Sequence, residues 1–154
     1  MQNKYKMRPY EKQQAIAIVK GYNDYKRYIK DEESRILSFG SGNYESSGGE
    51  RAYQPHGKGG TSSPTENKAL QFERLHNSYE YRCVKAVEKA FDSLPLEHYN
   101  GELAKKIRRA IYSSCVKDKN SFNFERSGII GLERSRFYQL RSIFLISIIK
   151  NMKL

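Results

Sequence analysis

Apolar residues recur at three- and four-residue steps in several stretches of the chain, the spacing that lines one face of an α-helix. The first stretch holds Ala15, Ile18, Val19, Tyr22, Tyr25, Ile29, Ile36 and Leu37 and predicts one helix from about Pro9 to Phe39. Pro9 suits the first turn, where its missing N–H costs nothing, and Gly40-Ser41-Gly42 is a stop signal. The second stretch holds Ala69, Phe72, Leu75, Tyr79, Cys83, Val87, Ala90 and Leu94, widened by Leu70, Val84, Ala86 and Phe91. It predicts one continuous helix of roughly 30 residues, about 45 Å long at the standard rise. Ser63 is its expected N-cap, with Pro64 as first helical residue, Glu66 as reciprocal partner and Pro95 as terminator. A third helix is predicted from about Gly101 to Val116, with Leu103, Ile107, Ala110, Ile111 and Cys115 inward. The expected fold is all-α. The two long helices can pack as an antiparallel hairpin, or either can supply the seam of a homodimer.

Residues 38–65 break the pattern and carry seven of the eleven glycines. Such a composition buries too little apolar surface to offset its ordering entropy, so a flexible linker or long surface loop is expected. The organisation read from this is a helical arm over 1–39, a Gly/Ser-rich linker over 40–63 and a helical domain over 64–154. His56-Gly57-Lys58-Gly59-Gly60-Thr61 superficially suggests a phosphate loop. It fails the G-x-x-x-x-G-K-[ST] pattern, and no apolar strand precedes it.

Charge sharpens the picture. The chain of 154 residues has a net charge of +11. Residues 100–154 hold 12 basic and 4 acidic residues, against 11 and 7 in residues 1–60 and 5 and 6 in residues 61–99. Clustered Lys/Arg with a pI near 9.6 is the footprint of a polyanionic partner. On the third helix, Lys105, Lys106, Arg108 and Arg109 lie away from the apolar stripe; they read as a solvated face or as phosphate contacts. No run of apolar residues is long enough to span a membrane, and no signal-like apolar segment follows the N-terminal charges. Cys83 and Cys115 are isolated, and His76 and His98 have no partners at metal-ligand spacing. A reducing cytoplasm is the expected compartment, with no metal or cofactor. An enzyme is the least supported class, because no nucleophilic triad, paired carboxylates or ligand set appears.

The last 35 or so residues read as a helix-turn-helix. A first short helix is expected from about Phe122 to Ile130, a turn at Gly131 with left-handed backbone, and a second helix from near Glu133 toward Lys150. Ile130, Leu132, Phe137 and Leu140 are the positions that must be apolar for the two helices to pack. Glu133, Arg134, Ser135, Tyr138, Gln139 and Arg141 then face out. A helix fits the B-DNA major groove and its first turns meet the base edges. Arg134 suits guanine, Gln139 suits adenine, and Tyr138 suits a base or a phosphate. Arg136, Arg141 and Lys150 suit phosphates.

These residues carry a family resemblance. Val84-Lys-Ala-Val-Glu-Lys-Ala-Phe-Asp-Ser-Leu-Pro95 resembles the opening helix of the fourth region of bacterial sigma factors. Gly131-Leu-Glu-Arg-Ser-Arg-Phe-Tyr-Gln-Leu140 resembles that region's recognition helix, which implies promoter contacts by Arg134, Ser135, Tyr138 and Gln139. The chain is more similar still to phage late-gene transcriptional regulators of the RinA/ArpU kind. Their end looks like a Ser-Arg-x-x-Tyr-x-Leu-Arg pattern followed by an apolar helix, which stands here as Arg134-Ser-Arg-Phe-Tyr-Gln-Leu-Arg141, then Ile143 to Ile149. Their middle is also similar to Gly57-Lys-Gly-Gly-Thr-Ser-Ser-Pro-Thr-Glu66. One departure stands out. Where sigma-like domains carry an Ile-Ala pair before the turn glycine, this chain has Arg126 and Ser127. Either Phe122 and Phe124 supply the packing in a shifted register, or the first helix is distorted.

The resemblance implies a sequence-specific regulator that activates phage late genes through double-stranded promoter DNA and host RNA polymerase. Two alternatives share its small, basic, helical character: the DNA-recognition subunit of a phage packaging terminase, and a module that grips RNA polymerase and not DNA.

Overall fold

A computed structural model describes residues 6–38, 64–117 and 121–153, and these are all-helical with no strand. Five α-helices are present: α1 (Pro9–Ser38), α2 (Pro64–His76), α3 (Tyr79–Asp92), α4 (Gly101–Val116) and α5 (Arg134–Lys153). One 3-10 helix, Phe124–Ser127, lies between α4 and α5. Among the described residues no helix is long and apolar enough to cross a membrane. The expected linker over 40–63, the N-cap at Ser63, the glycine-rich His56–Thr61 segment and the helix stop after Ser38 lie outside the described residues.

The chain divides into two compact units. One joins the residues up to Asn23 with those from Cys83 onward; the other is Asp24–Arg82. In the first, α5 is the central post. Phe137, Leu140, Phe144 and Ile148 form one buried stripe, and Leu145 and Ile149 add a second. Its last turns are therefore apolar on two sides, whereas its first two turns bury one side only. α5 packs on α4, whose Ala104, Ile107, Ala110, Ile111 and Cys115 are buried. Toward α3, Phe91 lies 4.3 Å from Phe144 between ring centroids, and Asn151 Nδ2 donates to the Ala86 carbonyl at 3.1 Å. The first half of α1 is fastened twice. Glu11, 3% exposed, pairs with Lys153 at 3.5 Å, and Asn23 Nδ2 donates to Tyr112 Oη at 2.9 Å.

Helix starts follow local chemistry. At α1, Arg8 is the cap: Lys12 N–H donates to its carbonyl, while its own N–H donates to the Glu11 carboxylate three residues on. At α4, Asn100 accepts from the Leu103 N–H at 2.7 Å.

Two expected helices need correction. The continuous second helix is broken at Asn77-Ser78 into α2 and α3. The Ser78 hydroxyl donates to the Leu75 carbonyl at 2.6 Å and accepts from the Tyr81 N–H at 3.3 Å, so it closes one helix and caps the next. The stripe is interrupted accordingly: Ala69, Leu70 and Tyr79 are exposed, whereas Leu75 is buried, as are Cys83, Val87, Ala90 and Leu94 of the other unit. Leu37 on α1 is also exposed.

The second correction concerns the segment before α5. The expected helix from Phe122 to Ile130 is a 3-10 helix of 4 residues. Asn123 caps it by accepting from the Glu125 N–H at 2.8 Å, and Gly128, at φ 75°, ends it. That left-handed residue takes the chain out of the helix before Ile130, which is 87% exposed and packs nothing. The packing comes from Phe122 and Phe124, whose rings lie 5.7 and 5.0 Å from that of Phe137. Gly131 has the left-handed backbone expected of it, at φ 93°.

Phe137 is fully buried at the junction of these aromatics, so Phe137→Ala is expected to cost about 3–5 kcal/mol in urea unfolding. Gly131→Ala meets no steric obstacle but must hold a positive φ, and is expected to cost about 1–2 kcal/mol. Gly101→Ala, also in open space and with ordinary φ, is the matched control and is expected to be near neutral.

Candidate nucleic-acid interface

The first two turns of α5 divide cleanly. Phe137 and Leu140 are fully buried, and Arg134, Ser135, Tyr138 and Gln139 are exposed. The outward residues are organised among themselves. Arg134 Nη1 lies 3.4 Å from Glu125 Oε1, with both side chains more than half exposed. The Arg134 guanidinium carbon is 5.8 Å from the centre of the Tyr138 ring. Tyr138 in turn stands edge-on to Phe137 at 5.2 Å. Arg136 Nη1 donates to Gln139 Oε1 at 3.2 Å. The buried aromatic thus sets the ring of Tyr138, and Glu125 and Gln139 hold two guanidinium groups near the helix start. Both polar links are solvent-accessible, so a ligand can displace them at low cost.

Arg141 is half-buried and anchored. Its Nε donates to Ser114 Oγ at 2.9 Å, and that hydroxyl donates to the Ile111 carbonyl at 2.7 Å. Beside it, burial pushes the Cys115 thiol above its usual pKa, and the positive charge of Arg141 offsets part of that rise. On α4, Lys105, Lys106 and Arg109 are exposed. Arg108 differs: it is half-buried, lines a hollow with Phe91, Asp92 and Tyr112, and its enclosed Nε donates to no described group.

Two grooves join these residues to cations that lie elsewhere in the sequence. One, of about 540 Å³, is lined by Lys106, Arg109, Lys117 and Arg126. The other, of about 450 Å³, is lined by Lys12, Lys20, Lys117 and Arg141, together with Tyr138. Lys117 and Phe122 border both. Among the described residues neither groove has an Asp or Glu in its lining. The two grooves therefore bring together Lys106, Arg109, Arg141 and Tyr138; Lys105 and Arg108 line neither groove. Lys12, Lys20, Lys117 and Arg126 are not among the residues that sequence reasoning singles out. The clustering of charge in the last third points toward Lys117 and Arg126, but nothing local marks Lys12 and Lys20. Among the described residues no group of three His, Cys, Asp or Glu could hold a metal ion.

No protein-family model, curated protein or solved structure matches the chain.

Ser114→Ala leaves the Arg141 Nε without its partner and is expected to lower stability by about 1–3 kcal/mol in urea unfolding. Glu125→Gln removes an exposed ion pair and is expected to change stability by less than about 1 kcal/mol in the same assay.

Proposed function

We propose that this chain is a sequence-specific, double-stranded DNA-binding transcriptional regulator. The observation that carries the reading is the division of α5. Arg134, Ser135, Tyr138 and Gln139 are exposed over two turns whose other side is locked by Phe137 and Leu140, and a cationic groove runs up to Tyr138. A helix with that division enters the major groove and meets base edges with its first turns. Arg134 reads guanine through O6 and N7, Gln139 reads adenine through N6 and N7, and Tyr138 and Ser135 contact a neighbouring base or phosphate. Lys105, Lys106, Arg109, Arg136 and Arg141 hold phosphates and fix the docking angle. Arg108, half-buried beside Phe91, has a packing role in this reading.

The resemblance of Gly131–Leu140 to a sigma region-four recognition helix, and of the C-terminal half to RinA/ArpU-type regulators, supports the finer proposal. In it, the protein activates phage late genes from promoter DNA together with host RNA polymerase in the bacterial cytoplasm. The 3-10 helix stands where such domains carry the first helix of the motif. The aromatic clasp of Phe122 and Phe124 on Phe137 does the orienting that this helix would otherwise do.

The test is binding to DNA from around the protein's own gene, with the site found by footprinting. About 6 phosphate contacts imply a loss of roughly a thousandfold in affinity between 50 and 200 mM salt. Arg134→Ala is expected to cost about 1–3 kcal/mol on the footprinted site and to relax base preference there. Lys106→Ala is expected to weaken all sequences alike. Equal losses on specific and random duplex for Arg134→Ala would remove it from the base-reading set, and affinity insensitive to salt would refute the phosphate assignment.

A further inference from the structure

The groove bordered by Tyr138 takes Lys12, Ile16 and Lys20 of its lining from the N-terminal helix, more than ninety residues before the residues that α4 and α5 contribute. Lys12 and Lys20 flank Ile16 along it. They are eight residues apart on one continuous helix, about 12 Å at 1.5 Å per residue. That distance spans about three to four phosphates of one DNA strand, counted at 3.4 Å of helix axis each.

Two features make this more than a pair of surface lysines. The first is the absence of local neutralisation. From Lys6 to Asn23 the one acidic residue is Glu11, which is 3% exposed, faces Lys153 and closes the cap of α1, and Asp24, four residues beyond Lys20, faces Arg27 at 3.9 Å. The charge of Glu11 is spent inside the protein, so Lys12 and Lys20 keep their field in the groove, where they meet Lys117 and Arg141. Cations gathered in a cleft whose described lining has no Asp or Glu focus potential more strongly than the same charges on a convex surface. The second is fixed geometry. The ion pair of Glu11 with Lys153 and the hydrogen bond from Asn23 to Tyr112 bracket this stretch of α1. The lysine stems therefore rise from a helix tied to both α4 and α5.

We infer that Lys12 and Lys20, with Lys117 and Arg141, form a track for the sugar-phosphate backbone of the same duplex whose bases α5 reads. The inference rests on the DNA-binding reading and extends its footprint to the N-terminal helix. A duplex is favoured over an acidic polypeptide because the groove shares Tyr138 with the outward side of α5, so a strand held there leads directly to the base-reading residues. The track contributes affinity and alignment, and it carries no base preference.

The experiment measures affinity of the full-length chain for the footprinted duplex and for a random duplex of equal length, over a salt series. Its arms are wild type, Lys12→Gln/Lys20→Gln, Lys12→Arg/Lys20→Arg and the exposed-lysine control Lys26→Gln/Lys30→Gln. Loss of two phosphate contacts lowers the slope of log affinity against log salt by about 1.8 and weakens binding roughly 10–60-fold at 0.1 M salt. The glutamine pair is expected to show both effects, equally on the two duplexes, with an unchanged melting temperature. The arginine pair and the control are expected to keep the wild-type slope. If Arg134→Ala relaxes base preference but the glutamine pair keeps wild-type affinity and slope, the track is wrong and the DNA-binding reading stands. If wild type binds neither duplex, both fall. A glutamine pair that binds duplex normally but loses polymerase in a DNA-free pull-down overturns the track in favour of an acidic protein partner.

Discussion

The orientation of the first turn of α5 depends on the burial of Phe137. Its ring is fully enclosed and meets Phe122 and Phe124 on one side and the edge of Tyr138 on another. Aromatic contacts of this kind fix direction as well as bury area, because offset and edge-on arrangements have preferred angles. The consequence reaches the surface. With Phe137 pinned, the residues one position on either side and two positions beyond it cannot turn inward, so Tyr138 and Gln139 stay exposed and Arg136 can hand its guanidinium to Gln139. The short 3-10 helix, with Phe122 just before it, is sufficient as a clasp because only two rings are needed to hold one.

Electrostatics then give that oriented helix a setting. Beyond Glu133, exposed just before α5, two acidic groups are used within the protein: Glu11 in the cap and lysine pair of α1, and Glu125 against Arg134. The first is buried and holds structure. The second is exposed and exchanges readily with a better acceptor. Among the described residues, the two groove linings that share Lys117 and Phe122 carry cations and no Asp or Glu, a surface suited to a partner with regularly spaced negative charge.

Much of this was legible from the residue pattern, and the failures have physical causes. The start of α1 at Pro9, the bounds of α4 at Gly101 and Val116, the positive φ of Gly131 and the burial of Leu132, Phe137 and Leu140 follow from strong local signals: a helix-starting proline, a turn glycine and a clear apolar period. The break at Ser78 was hidden because Leu75, Tyr79 and Cys83 keep a four-residue step across it. A serine that caps one helix while closing another differs from a serine on a helix face only in its hydrogen bonds. The segment from Phe122 to Ile130 misled for a related reason. Its apolar residues fit a helix, and Gly128 is tolerable within one, so the left-handed turn there was not marked. The contribution of Lys12 and Lys20 was invisible because their neighbours in the groove are distant in sequence, and a lysine pair on a polar helix face ordinarily reads as solvated surface.

Methylation protection of the bound duplex tests the central claim most directly, because guanine N7 lies in the major groove and adenine N3 in the minor groove. If the outward side of α5 reads bases, guanine N7 atoms within the footprint are shielded by wild type and become reactive again with Arg134→Ala. Shielding confined to adenine N3, or guanines that react as freely in the complex as in free DNA, would contradict the account.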